Sequence, residues 1–175
     1  MDRKKIAVLG GSFNPVHWGH IAVARNVVAS GAVDAVWLSP SPQNPFKASH
    51  KLMPIDERLR LIREAIADER HIAYTDVELS LPIPSYTIDA LDALSRDNTD
   101  IDFMLLMGAD NLEDFCKWKR WTTILEKYGI IVYPRGSSHI TLPDYLLPYD
   151  KHIILLDDMP VFPISSTLIR ESRGD

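Results

Sequence analysis

Two histidines, His17 and His20, stand about one helical turn apart in the segment Gly10-Gly11-Ser12-Phe13-Asn14-Pro15-Val16-His17-Trp18-Gly19-His20. The i, i+3 spacing predicts both imidazoles on one face of a helix that opens there. Before them, the apolar run Ile6-Ala7-Val8-Leu9 suits a buried parallel strand, and the Gly-Ser-Asn-Pro cluster breaks that strand and turns the chain. A strand, a glycine turn and a helix N-terminus together make a site for anions, because free backbone N–H groups and the positive end of the helix dipole point into the turn. Gly19 is expected to let a ligand approach the backbone. The chemistry this implies is phosphate binding. A plainer reading makes Gly10 and Gly11 a simple tight turn and the histidines ordinary surface or core residues. Ser12, Asn14 and Pro15 weigh against it, since the whole turn is built for a defined backbone path. The chain has no G-x-G-x-x-G and no G-x-x-x-x-G-K-[ST], and neither H-E-x-x-H nor a paired-cysteine spacing that would point to zinc.

A second cluster lies near the C-terminus, Ile164-Ser165-Ser166-Thr167-Leu168-Ile169-Arg170. Ser165 or Ser166 would cap a last helix, yet neither Leu168 nor Ile169 can close a capping box, so the first-turn amides are expected to remain open to an anion. Arg170, one turn in, could reach the same anion. Between the two clusters lie Pro84-Ser85-Tyr86-Thr87-Ile88-Asp89-Ala90-Leu91, Met107-Gly108-Ala109-Asp110, Trp118-Lys119-Arg120-Trp121 and Tyr133-Pro134-Arg135. Taken alone, the first is a helix start and the tryptophans could be core. An aspartate after an apolar strand can accept hydrogen bonds from ribose hydroxyls, and a tryptophan flanked by basic residues offers a stacking face to a planar ring.

The elements that must position these residues alternate. Strands are predicted at 6–9, 35–38, 72–74, 103–107, 130–133 and 153–156. Helices are predicted at 18–30, 55–68, 87–95 and 112–127, the last broken near Trp118, with a closing helix from Ser166. Strands separated by amphipathic helices predict right-handed crossovers and an α/β fold, a Rossmann-like parallel sheet with helices on both faces that binds ligands at the carboxyl ends of its strands. Residues 39–54, with four prolines beside Gln43, Asn44, Lys47 and His50, and residues 136–149 are expected to be surface loops. With 175 residues, of which 46% are apolar and 25% charged, the chain suits one domain over 1–175. The single cysteine, Cys116, excludes an internal disulfide and fits a reducing cytoplasm. A net charge of −5 argues against a general nucleic-acid or membrane surface. Gly10-Gly11 cuts off the N-terminal apolar run before secretion-signal length, and no apolar segment is long enough to span a bilayer.

The string from Gly11 to His20 resembles the first signature of the nucleotidyltransferase superfamily of adenylyltransferases and cytidylyltransferases, a G-[ST]-F-[DN]-P turn followed by H-x-G-H. Residues 164–170 resemble its second signature, I-S-S-T-x-[IL]-R. Together with the S-Y-T-I-D, G-A-D, W-x-x-W and P-R segments, from Lys5 to Arg170 the chain resembles the bacterial nicotinate mononucleotide adenylyltransferases. What the resemblance implies is transfer of AMP from ATP to nicotinate mononucleotide, giving the deamido dinucleotide and pyrophosphate. It places Gly11, Ser12, Phe13, His17, His20, Lys47, Ile164, Ser166, Thr167 and Arg170 along the triphosphate, with the two histidines catalytic. Gly108, Asp110 and Arg135 would face the adenylate side and the phosphates, while Ser85, Tyr86 and Thr87 would contact the nicotinate nucleotide and Trp118 would stack on its pyridine ring. Mg²⁺ would accompany ATP with no direct protein ligand.

The chain departs from that pattern at three points. Phe46 stands before Lys47 where the family often has histidine, so one phosphate donor is either missing or replaced by His50. Asn14 replaces a frequent aspartate. The sequence ends at Asp175, soon after Arg170, where family members usually continue into further helix, so the expectation is either a shortened chain or an open wall on the ATP side. Phosphopantetheine adenylyltransferases and glycerol-phosphate cytidylyltransferases share the first signature but lack S-Y-T-I-D and W-x-x-W. Nicotinamide mononucleotide or phosphopantetheine as acceptor, a nucleotide-binding module without turnover, and assembly as a homo-oligomer are readings left open by these residues.

Overall fold

The computed structural model describes residues 2–42 and 52–173. Its centre is a six-stranded sheet, all parallel, in the order β3-β2-β1-β4-β5-β6. The strands are β1 (Lys4–Gly11), β2 (Ala35–Pro40), β3 (Ile72–Tyr74), β4 (Ile101–Gly108), β5 (Ile130–Tyr133) and β6 (Ile153–Leu155). The helices are α1 (Trp18–Ala29), α2 (Ile55–Ala65), α3 (Thr87–Asp97), a short α4 (Trp121–Thr123) and α5 (Ser166–Arg173). The strand order reverses direction between β1 and β4, and the ends of these two neighbours open the crevice where such sheets bind ligands.

The pleat sorts the strand residues onto two faces. Ile6, Val8, Phe103, Leu105, Ile130 and Val132 pack with Ile88, Leu91 and Leu94 of α3 on one side. Ala7, Val36, Leu38, Leu106 and Ile131 pack with Ile21, Ala24 and Val27 of α1 and Ile62 of α2 on the other. Both faces are therefore covered, which is why the strands read as unbroken apolar runs rather than alternating ones. The predicted α/β sheet with helices on both faces is the observed fold.

The structure differs from the sequence expectation in two places. Residues 112–127 do not form one interrupted helix. They form a tight turn at Phe115–Lys117, then α4, which runs into a wider π-helical turn at Ile124–Tyr128. Arg120 sits at φ 51°, a left-handed conformation that no right-handed helix can pass through. The reason is tertiary: Phe115 meets the Trp118 and Trp121 rings edge-on, and Trp121 meets Tyr145 and Tyr149. The stretch 136–149 is likewise not a plain surface loop. Ile140 and Leu146 are buried, and 3-10 helical turns span Asp144–His152.

Leu106, 1% exposed, lies on β4 between two other strands. Leu106→Ala should cost ~2–5 kcal/mol of stability, seen as a lower urea midpoint with an unchanged slope, because little can collapse into the space.

Candidate active site

The site is built on the turn that leaves β1. Phe13 holds φ 45° with its side chain 2% exposed, so the turn keeps a strained backbone only because its surroundings hold it. Its carbonyls at Ser12, Asn14 and Pro15, beyond the end of the strand, find side-chain donors. Arg58, from α2 and also 2% exposed, donates to Ser12 O at 2.7 Å, to Ser41 O at 2.8 Å and to Met53 O at 3.0 Å. Asn14 O accepts from Arg170, and Pro15 O accepts from the Ser166 hydroxyl at 2.7 Å. The Asn14 side-chain oxygen accepts the Met53 amide at 2.9 Å.

The two sequence clusters are thus one physical junction, though not in the form expected. The Ser166 hydroxyl and one Arg170 nitrogen are spent on bracing the turn, and another Arg170 nitrogen donates to Thr167 Oγ1 at 3.2 Å. Ser165 is the cap: its Oγ accepts the Leu168 amide at 3.1 Å, so that first-turn amide is not open to an anion.

The histidines also differ from the expected helical pair. His17 is the N-cap of α1, with extended backbone at φ −141° and ψ 171°. Its Nδ1 accepts the Gly19 amide at 3.1 Å, while the Nδ1 of His20 accepts the His17 amide at 3.1 Å. This is a capping box made from two imidazoles. The amides expected to bind an anion are therefore used internally. In their place the rings themselves become the donors, because a neutral imidazole accepting at Nδ1 carries its proton on Nε2. The rings stack with centroids 3.7 Å apart, and Phe13 meets His20 edge-on at 4.8 Å. Burial lowers the His20 pKa to about 3, helped by His17 and Arg135, and burial followed by Arg135 lowers that of His17. Gly19 serves packing here: a Cβ would lie 2.7 Å from Ile164 Cγ2 and 2.9 Å from the His17 ring.

Two cavities meet over the ends of β1 and β4 and share Leu9, Leu106, Met107 and Gly108. One, of about 560 Å³, is lined by His17, His20, Gly108, Tyr133, Arg135 and Ile164. The other, of about 1650 Å³, is lined by Gly11, Glu78, Ser85, Tyr86, Thr87 and Trp118. Of the residues expected along ATP, His17, His20, Gly108, Arg135 and Ile164 line the first cavity, Gly11 lines the second, and Ser166 and Arg170 line neither; Ser85, Tyr86, Thr87 and Trp118, expected at the nicotinate nucleotide, all line the second. Asp110 is exposed and lines neither cavity; it folds against Gly108, where a Cβ would stand 2.5 Å from its Oδ1. Thr167 is exposed, and Ser12 and Phe13 shape the turn without lining either cavity. The Ser85 hydroxyl is turned to Glu78 at 2.9 Å. Lys47, Phe46 and His50 lie outside the described residues.

Two residues that matter here escaped the sequence reading. Arg58 sits in the charged run Asp56-Glu57-Arg58-Leu59-Arg60, which reads as a solvated helix face, and Glu78 sits in an unremarkable Val-Glu-Leu-Ser stretch. For Arg58 a signal existed, since it shares a helix face with Ile62 and Ile55.

A profile of the cytidylyltransferase-like family matches residues 8–172. The chain belongs to that nucleotidyltransferase family. Among its relatives, a protein of Azobacteroides pseudotrichonymphae described as a probable nicotinate-nucleotide adenylyltransferase is 40% identical, over 96% of this chain and 86% of its own length. One of Bacteroides fragilis with the same description is 37% identical, over 98% and 83%. The Plasmodium falciparum nicotinic acid mononucleotide adenylyltransferase complexed with NaAD superposes with a TM-score of 0.74, covering 96% of this chain and 83% of that one at 19% identity, which shows the shared fold. A putative nicotinate-nucleotide adenylyltransferase from Vibrio parahaemolyticus superposes with a TM-score of 0.62 at 25% identity, covering 75% and 74%. Membership of the family makes the chain a nucleotidyltransferase enzyme.

Because both imidazoles bind protons less readily in the folded chain, the unfolded chain holds more protons between the ordinary value of 6.5 and about 3. Stability therefore rises with pH across that window. The wild-type chain should lose stability as pH falls below 6.5, and His20→Gln should flatten that decline in urea melts compared at pH 7 and pH 5.

Proposed function

We propose that the protein is a nicotinate-nucleotide adenylyltransferase of NAD biosynthesis, moving AMP from ATP to nicotinate mononucleotide. The observation that carries this reading is the pair of unlike chambers joined over the β1 and β4 ends. One offers stacked neutral imidazoles and the Arg135 guanidinium, as a triphosphate requires; the other offers Trp118 and the start of α3, as an anionic pyridine nucleotide requires. No side chain caps α3 at Tyr86, so its first-turn amides are left to a carboxylate, and the positive dipole end favours nicotinate over the neutral nicotinamide. The 40% identity to a relative so described supports the same acceptor.

In this mechanism an oxygen of the acceptor's 5′-phosphate forms a bond to the α-phosphorus of ATP. The bond from that phosphorus to the bridging oxygen breaks, and pyrophosphate leaves with the electron pair. No protein nucleophile is needed, since such transfers depend on positioning and on stabilising charge. His17 and His20 donate their Nε2–H groups to the phosphates, with rings held by the paired Nδ1 acceptors, so the donors need no reorganisation as charge develops. Arg135 adds positive charge at the same cavity. Arg170, Ser166 and Arg58 act by fixing the turn. Among the described residues no group of three or more His, Cys, Asp or Glu could hold a metal. Mg²⁺ would come with the nucleotide and neutralise triphosphate oxygens. Among the described residues no helix is long and apolar enough to cross a membrane. A cytoplasmic setting fits the exposed free thiol of Cys116.

Pyrophosphate release is the test, with ATP or CTP and each of nicotinate mononucleotide, nicotinamide mononucleotide and phosphopantetheine. Release with ATP and nicotinate mononucleotide is expected to be fastest. Release only with another acceptor, or nucleotide binding with no release at all, would overturn the reading. His20→Ala should retain its circular dichroism spectrum and lose ~10²–10³-fold in turnover, the usual effect of deleting a preorganised donor.

A further inference from the structure

Glu78 has no place in the chemistry above, yet its setting demands a reason. It lies in the 3-10 turn Val77–Ser80 after β3, is 8% exposed, and lines the acceptor chamber beside Ser85, Thr87 and Trp118. Its two oxygens are shared out. Oε1 accepts the hydroxyl of Ser39 at the end of β2 at 3.2 Å, and Oε2 accepts that of Ser85 at 2.9 Å. Both serines are buried, and among the described residues no cation pairs with the carboxylate. The chamber's lysines are engaged elsewhere, Lys119 with Asp89 and Lys117 with Asp114, both at 2.8 Å.

A buried carboxylate without a cation is an expensive way to join a strand to a loop, because apolar packing does the same at less cost. What the carboxylate achieves and an apolar side chain cannot is a directional hold on Ser85. The next two residues, Tyr86 and Thr87, are the uncapped entry to α3. The carboxylate also lies beside the end of β1, since a Cβ on Gly10 would come 3.9 Å from Oε1, so the ends of β1 and β2 and the residue before the entry to α3 meet around it.

We propose that Glu78 is a positioning residue of the acceptor subsite, which through Ser85 fixes the entry to α3 so that the amides there meet the carboxylate of the pyridine nucleotide. It does not touch ATP. Burial, opposed only in part by the two serine hydroxyls, raises its carboxyl pKa. The proposal rests on the acceptor being nicotinate mononucleotide.

Steady-state kinetics of Glu78→Ala, Glu78→Gln, Ser85→Ala and the Glu78→Ala/Ser85→Ala double variant test it. Glu78→Ala should raise the KM for nicotinate mononucleotide about ten-fold, with kcat and the KM for ATP within about two-fold. Glu78→Gln keeps the shape, one acceptor and one donor, and should stay within about three-fold of wild type. If the residue acts through Ser85, the double variant should be no worse than the worse single one. Parallel rises in both KM values, additive losses, or a Gln variant as impaired as Ala would each overturn the role. Should Glu78→Ala not fold, calorimetric binding of nicotinate mononucleotide to Glu78→Gln and Ser85→Ala decides. There, weakening by Ser85→Ala with retention by Glu78→Gln supports the role, and any other pattern overturns it. A wild-type enzyme inactive with nicotinate mononucleotide defeats the parent reading, whereas an active one with unresponsive variants defeats the Glu78 role alone.

Discussion

A backbone turn that leaves a parallel strand abruptly carries carbonyl groups with no ladder to bond to, and buried carbonyls must find donors. At Ser12 to Pro15 this requirement governs the molecule. Arg58 reaches Ser12 from α2, while Arg170 and Ser166 reach Asn14 and Pro15 from α5, more than 150 positions later in the chain. Guanidinium is suited to the task because its fixed fork of donors stays charged and serves several acceptors at once. With those donors in place the turn can keep Phe13 in a left-handed conformation and present His17 at a set angle. Without them neither α1 nor α5 would stand in its present register.

From this turn the chemistry of the imidazoles follows. Each ring gives its Nδ1 to a backbone amide of the same helix start, so the tautomer and the direction of the remaining N–H are decided together. Partial burial and the nearby Arg135 keep both rings neutral, with His20 down to about 3. A neutral donor fixed in place stabilises charge that develops later without having to be desolvated or turned at that moment. The positive charge of the site comes instead from Arg135 at the cavity wall. The same structural logic serves the acceptor side, where the Glu78 carboxylate, rather than an imidazole, holds a helix start by its neighbours.

The parallel sheet makes the two halves adjacent. Strand order reverses between β1 and β4, so the connections on either side of that point diverge and leave a crevice with different walls. One wall comes from α1, β5 and the segment before α5; the other comes from Glu78 in the turn after β3, the start of α3 and residues 111–119. Two different substrates can then be held at one edge of one sheet, with Gly108 lining both cavities.

Much of this was legible in local sequence because it depends on local rules. Apolar runs of four to eight residues mark buried strands, and Ile6 to Leu9, Ala35 to Leu38 and Ile130 to Tyr133 lie within observed ones. The His-x-Gly-His and Ser-Ser-Thr strings could be matched because their residues are contiguous. What contiguity could not decide was how the donors are used. Whether the amides at α1 stay free or go to imidazole nitrogens depends on side-chain rotation in a packed setting, and the outcome moved the donor from backbone to ring. The aromatic cluster of Phe115, Trp121, Tyr145 and Tyr149 reshaped residues 112–127 through Trp121 contacts to rings 24 and 28 residues on, against local helical periodicity. Arg58 and Glu78 lay hidden for the same reason. A charged residue in sequence reads as solvated, and only the fold brings three carbonyls to one and two buried hydroxyls to the other. The sequence by itself determined the order of the strands, the class of fold and the short strings that line the two cavities, since those follow from periodicity and from contiguous residues. The tertiary structure alone decided which polar groups are spent on one another and which are left for a ligand, because that partition is settled by burial.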